Sequence, residues 1–203
     1  MPLYNKIISD RFELAVWRIE EPLSFFGSHF DSSPHIQNEN KKLQWLATRF
    51  LAKQLVGAEA EVLNKESGKP HLKDPTHHIS ISHCPQFAAV IAGKTAEVGV
   101  DLEPVHNKVE RVAKKFLTEN ELAAIGKDHR IEKLILYWSA KESLYKLHGE
   151  GGVDFRTQLL IQPFELKQEG SLSATIATRV RAFAKLTVHY RFFEGHVLTY
   201  VTV

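Results

Sequence analysis

The run from Asp128 to His148 predicts a helix whose apolar residues do not stay on one side. Ile131, Leu134, Ile135 and Trp138 form a stripe with a 3.6-residue period that continues through Glu142 to Tyr145. Leu136, Tyr137, Ala140, Leu144 and Leu147 lie off that stripe, and Gly149, Gly151 and Gly152 end the run. A helix that is apolar on several sides cannot lie on a single sheet with its back in water. It has to be covered more than once, which predicts a place between two halves that share a core.

The rest of the chain supplies two such halves. A stripe of Leu43, Leu46, Ala47, Phe50, Leu51 and Leu55, opened by Ser33-Pro34 and closed by Gly57, predicts a first helix over residues 34–56. Residues 77–83 and 87–92 read as strands, and the latter is expected to form a hairpin with residues 97–103. Val105, Val109, Val112, Ala113 and Phe116 predict one helical stripe, and Thr118-x-x-Glu121 predicts a capping box. Strands are expected over 158–162, 172–178 and 185–203, the last folded at Glu194-Gly195. A long helix followed by antiparallel strands thus occurs twice, so the expected fold is α+β with a pseudo-duplication, divided into residues 1–103 and 104–203.

Several classes of protein are excluded. At 203 residues the chain is one large domain or two small ones, with enough length for a core without staples. Its one cysteine, Cys84, makes no internal disulfide, and no secretory leader opens the sequence, so a cytoplasmic protein is expected, and the many-sided apolar helix predicts a monomer whose halves share one core. No apolar run approaches the length of a membrane span. The net charge is +2, with −2 over residues 1–103 and +4 over 104–203, and no basic motif interleaved with aromatics argues for nucleic acid.

Three segments carry candidate chemistry. In Gly99-Val100-Asp101-Leu102-Glu103 the two-residue period of a strand places both carboxylates on one face, an arrangement that asks for a proton or a hard cation such as Mg²⁺. In Trp138 to Lys146, Glu142 falls where the stripe expects an inward residue, with Lys146 four positions on as a possible ion-pair partner. Ser80-Ile81-Ser82-His83, preceded by Gly68-Lys69-Pro70, offers donors to an anion. Arg49 and Lys53, with Lys42 further back, form a cationic ridge on the first helix. His77, His78, His83 and Cys84 match no usual zinc spacing, and neither Ser82 nor Cys84 is placed as a nucleophile beside His83.

Taken in order, Gly68-Lys69-Pro70, Ser80-Ile81-Ser82-His83, Gly99 to Glu103, Phe116 to Glu121 and Trp138 to Lys146 resemble the long, surfactin-type class of 4'-phosphopantetheinyl transferases. The resemblance covers residues 68–146. It implies two similar halves around a central cleft that holds coenzyme A. It also implies transfer of the phosphopantetheine arm to a serine of an apo acyl or peptidyl carrier protein, with release of adenosine 3',5'-bisphosphate. On that resemblance Asp101, Glu103 and Glu142 hold Mg²⁺. Arg49, Lys69, Ser82, His83 and Lys146 bind coenzyme A, and Glu142, Glu103 and Lys146 are catalytic, with Glu142 or Glu103 taking the serine proton. The carrier is expected to dock near Phe116, Leu117 and the short helix that follows, steered by Lys114 and Lys115. Another Mg²⁺-dependent phosphoryl-transfer enzyme and a noncatalytic binding module are the rival readings.

Overall fold

The computed structural model describes residues 3–30, 35–179 and 182–203. The chain is α+β and divides into two compact units, residues 1–98 and 99–203. Among the described residues, no helix is long and apolar enough to cross a membrane.

The first unit contains β1 (Leu3–Ile8), β2 (Phe12–Arg18), α1 (Leu23–Gly27), α2 (Glu39–Val56), β3 (Val62–Asn64), β4 (Pro70–Leu72), β5 (His78–His83) and β6 (Phe87–Gly93). Four strands form an antiparallel sheet in the order β1-β2-β6-β5, and β3 with β4 makes a separate small ladder. β6 is buried along its whole length. A strand so apolar needs partners on both edges, and it takes β2 on one side and β5 on the other. The expected hairpin between residues 87–92 and 97–103 is therefore not formed. α2 lays Leu46, Ala47, Phe50 and Leu51 against this sheet, with Phe50 edge-on to Trp17 at 5.2 Å. The helix starts at Glu39, later than expected, because Asn38 caps it by accepting from the Lys41 N–H. Ser33 and Pro34, read as its opening, lie outside the described residues.

The second unit opens with β7 (Val98–Pro104) and a 3₁₀ turn, Asn107–Arg111, followed by α3 (Ala113–Phe116), α4 (Glu119–Ile125) and α5 (Arg130–His148). It closes with β8 (Leu159–Ile161), β9 (Glu169–Ala177), β10 (Ala182–Phe193) and β11 (His196–Thr202). The single helical stripe expected over residues 105–116 is broken. Val112 leaves helical geometry (φ −112°, ψ −2°) and is exposed, so the stripe splits into the 3₁₀ turn and α3. The hairpin at Glu194-Gly195 forms as expected, with positive φ at both turn residues and Phe193 paired to His196.

The sheet order is β7-β11-β10-β9-β8, so the first strand of the unit lies beside the last. α5 packs on this sheet through a polar seam. Ser139 and Ser143, both fully buried, share the Thr199 hydroxyl at 2.9 and 2.6 Å. Small hydroxyl residues let helix and strand approach, and Gly99 on β7 completes the approach. A Cβ built there would stand 2.1 Å from the Ser143 carbonyl oxygen and 2.9 Å from the Leu147 nitrogen.

Gly99→Ala is expected to cost about 3 kcal/mol or to abolish folding, because the obstacle is helix backbone. Gly151→Ala, where a Cβ meets nothing within 4 Å, should stay within about 0.5 kcal/mol of wild type in urea unfolding.

Candidate active site

β7 and α5 meet in matched steps. Every second residue of a strand advances by about 6.6 Å, and every fourth residue of a helix by about 6 Å. Gly99, Asp101 and Glu103 therefore keep pace with successive turns of α5. Gly99 lies against Ser143 and Leu147, the Lys146 Nζ donates to Asp101 Oδ1 at 2.8 Å, and the Trp138 Nε1–H donates to Glu103 Oε1 at 3.0 Å. Glu142 lies between Trp138 and Lys146 on the same helical stripe.

Asp101 is only 3% exposed, so this face of β7 is covered rather than solvated. The ion pair of Lys146 is made with Asp101 and not with Glu142 four residues back. Glu142 is pushed up to about 7, first by burial and then by the negative charge of Asp101, with Glu103 adding to it and Lys146 opposing. Burial also raises Glu103, reinforced by Asp101, while the Trp138 N–H and Lys146 pull it down. Three carboxylates thus crowd one another around a single ammonium.

The donor chemistry of this group, carboxylate oxygen throughout, fits a hard divalent cation, and the mutual repulsion is what such a cation relieves. As the side chains stand, among the described residues no three acidic, histidine or cysteine side chains close into a metal-ligand group. Lys146 supplies the positive charge at Asp101.

The other expected site residues belong to the first unit. Lys69 immediately precedes β4, and Ser82 and His83 end β5, with Ser82 buried and His83 exposed. Arg49 lies on α2, where its guanidinium stacks 4.4 Å from the Trp45 ring centre.

One expectation is corrected. Leu117 is 1% exposed and Phe116 is buried, both inside the core of the second unit, so neither offers side-chain surface to a partner. The exposed residues at this place are Lys114, Lys115, Glu119, Asn120 and Arg156. Lys114 and Arg156 help to line a cavity of about 540 Å³ floored by Leu117 and Leu122.

The reading from sequence missed Lys141. It is 0% exposed, and its Nζ donates to the Phe116 carbonyl at 2.8 Å, the Phe155 carbonyl at 3.0 Å and Glu121 Oε2 at 2.9 Å. Glu121, expected only as a capping residue, does cap α4, accepting from the Thr118 N–H, and also accepts from the Ile161 N–H on β8. A usable signal was present: Tyr137, Ala140 and Leu144 surround Lys141 at the spacings i−4, i−1 and i+3, so the helical wheel already placed the lysine among apolar neighbours. The Trp138–Glu103 bond was also missed, because Trp138 read as a core residue of the stripe.

The family model of the 4'-phosphopantetheinyl transferase superfamily matches residues 97–201, just over half of the chain. The chain is also 31% identical over 102 residues to the Bacillus subtilis protein named 4'-phosphopantetheinyl transferase ffp, a match covering 48% of this chain and 45% of that relative. The chain therefore spans under half the length of the curated relative it matches.

Two predictions concern this site. Lys141→Met leaves the Glu121 carboxylate buried without its ammonium and is expected to cost about 3–5 kcal/mol in urea unfolding. Adding Glu121→Gln should cost less than the two single effects combined, whereas strict additivity would show that the pair is not coupled. The second follows from Glu142. Between its ordinary value of 4.5 and the folded value of about 7, the folded protein holds a proton that the unfolded chain has released. Stability contributed by this group therefore falls as pH rises through that window, and Glu142→Gln should flatten the slope when unfolding is measured in chelator.

Proposed function

Because the chain belongs to the 4'-phosphopantetheinyl transferase superfamily, we propose that it transfers the phosphopantetheine arm of coenzyme A to a serine of an apo acyl or peptidyl carrier protein. The observation that carries this reading is the group on β7 and α5, Asp101 with Lys146 beside Glu142 and Glu103, within the segment that the family model matches. Two similar halves enclosing a coenzyme A cleft form part of the proposal, as does action as a cytoplasmic monomer.

Asp101, Glu103 and Glu142 would hold Mg²⁺, which neutralises the charge of the pyrophosphate when bound. Lys69, Ser82, His83 and Lys146 grip the phosphates of coenzyme A, and Arg49 supplies a further cation. The serine oxygen attacks the phosphorus bonded to the pantetheine arm. The bond to the other phosphate breaks, and adenosine 3',5'-bisphosphate leaves. Glu142 accepts the serine proton. Without a cation, burial and the Asp101 charge push this carboxyl up to about 7, and a bound cation would lower it, leaving an ionised oxygen able to accept the proton. Trp138 anchors Glu103 by its N–H bond and Lys146 holds Asp101, whereas among the described residues no indole or lysine hydrogen bond holds Glu142. The exposed Lys114 and Lys115 steer an acidic carrier surface, in place of the buried Leu117.

Incubating the protein with coenzyme A, Mg²⁺ and an apo carrier should add one phosphopantetheine to the carrier's mass. Turnover of coenzyme A without carrier modification would instead favour another phosphoryl-transfer enzyme, and binding without turnover a noncatalytic module. Asp101→Ala is expected to lower transfer by about 100-fold or more while coenzyme A affinity changes far less. Charge reversal at Lys114 and Lys115 should raise the carrier KM, with the coenzyme A KM unchanged.

A further inference from the structure

Residues 149–158 join α5 to β8 and contain a tight turn that no motif of the acidic site includes. The Asp154 carboxylate accepts from the backbone N–H of Arg156 at 2.8 Å and from that of Thr157 at 3.2 Å. These bonds hold its carboxyl below the ordinary value. The Gln158 side chain accepts from the Asp154 N–H at 2.7 Å, and the Gln158 N–H donates back to the Asp154 carbonyl at 2.9 Å. Reciprocal bonds of this kind fix a turn without a helix or a strand. Between them the Phe155 carbonyl accepts from Lys141 Nζ at 3.0 Å, so the backbone that carries the Phe155 ring has little freedom.

The ring itself is half-buried. It stacks on Trp138 with centres 5.6 Å and planes 30° apart, and it tilts against Tyr145 at 5.3 Å. Phe116 meets the same indole at 5.1 Å, with its plane inclined by 65°. Both separations lie in the range where aromatic pairs attract. An indole has a single donor, so the direction of its hydrogen bond follows from the setting of the ring. That bond runs to Glu103 Oε1 at 3.0 Å. Trp138 is itself half-buried, and without a ring on its face the indole gains both other rotamers and access to water.

The structure assigns to Phe155 a positioning role: by stacking on Trp138 it orients the Glu103 carboxylate of the acidic site. The phenyl ring has no polar atom, so its whole effect passes through the indole. Lys141 takes part from the next residue but one of the helix face, holding the Phe155 backbone while Trp138 receives the ring. A group that locks the orientation of a functional carboxylate matters to chemistry in proportion to the precision it confers. The consequence for transfer rests on the proposed function, whereas the orientation of Glu103 does not.

Nitrogen-15 NMR of the metal-free protein reads the indole directly. Trp17, Trp45 and Trp138 are the three tryptophans, and Trp138→Phe identifies the resonance in question. Phe155→Leu should shift that resonance and make its proton exchange with water several-fold faster, whereas Phe155→Tyr, which keeps the stack, should leave both as in wild type. Asp154→Ala keeps every ring while untying the turn, and should move the resonance the same way by less. Phe164→Leu removes a ring that packs on Tyr137 of the same helix at 5.1 Å, and is the control for general loosening. In the transfer assay Phe155→Leu should lower kcat about tenfold with the coenzyme A KM unchanged. It should add nothing further once Trp138 is Phe. The proposal is overturned by an indole that stays unmoved in both Phe155→Leu and Asp154→Ala, or by an equal response to Phe164→Leu. A released indole with unchanged kcat, or full additivity with Trp138→Phe, overturns it as well. The expected indole response in a protein that transfers nothing counts against the proposed function alone and leaves the positioning of Glu103 in place.

Discussion

A single ammonium in the second unit ties together segments that also share its apolar core. Lys141 Nζ joins the end of α3, the cap of α4 and the loop before β8, and through Glu121 it reaches the first turn of α4 and the backbone of β8. Burial pulls the lysine pKa down, and the Glu121 carboxylate pushes it back. Burial, with the same carboxylate adding to it, lifts the Tyr137 hydroxyl to about 12. The Coulombic attraction of such a pair is largely cancelled by the cost of taking both charges out of water, so its contribution lies in geometry more than in net stability. This arrangement satisfies all three donors of the ammonium and four hydrogen bonds accepted by the Glu121 carboxylate, beside the Phe155 ring stacked on Trp138 with their centres 5.6 Å apart. Trp138 in turn holds Glu103. The structural ion pair and the acidic site are therefore neighbours on one helix, one residue apart at Lys141 and Glu142, facing different surroundings.

The acidic site itself depends on a coincidence of two regular repeats. A helix and a strand that advance in nearly equal steps can keep side chains in register over two or three positions before drifting apart. Gly99 permits the close approach, and Asp101 and Glu103 then meet Lys146 and Trp138 in turn. Glu142 in the middle is buried and faces its own kind of charge, and burial first and the neighbouring Asp101 second raise its proton affinity.

This explains which parts were legible in the sequence. The two-residue spacing of Asp101 and Glu103 and the inward position of Glu142 are properties of single elements, so periodicity alone exposes them. The capping box at Thr118 and the turn at Glu194-Gly195 are local as well, and both appear where the residues indicate. What periodicity cannot show is pairing across long separations. β6 looked like half of a hairpin because residues 97–103 follow it closely, yet its burial on both faces demanded β2 as well as β5. Leu117 looked like surface because it falls off the stripe ending at Phe116, but the core it enters is assembled from β8 to β11 and α5. Lys141 was missed for the same reason: its three partners lie 14, 20 and 25 residues away in sequence.

The order of the second sheet has a consequence for how the chain acquires its acidic site during synthesis. β7 is made first and lies beside β11, and the Val105 N–H donates to the Gly195 carbonyl at 2.7 Å. At about 5–20 residues per second, the ribosome needs roughly 5–20 seconds to travel from one to the other. Throughout that interval Asp101 and Glu103 ride on a strand whose neighbour does not yet exist. The backbone edge of β7 therefore stays unpaired until residues 196–202 have been made, although α5, which carries Glu142 and Lys146, is translated well before them.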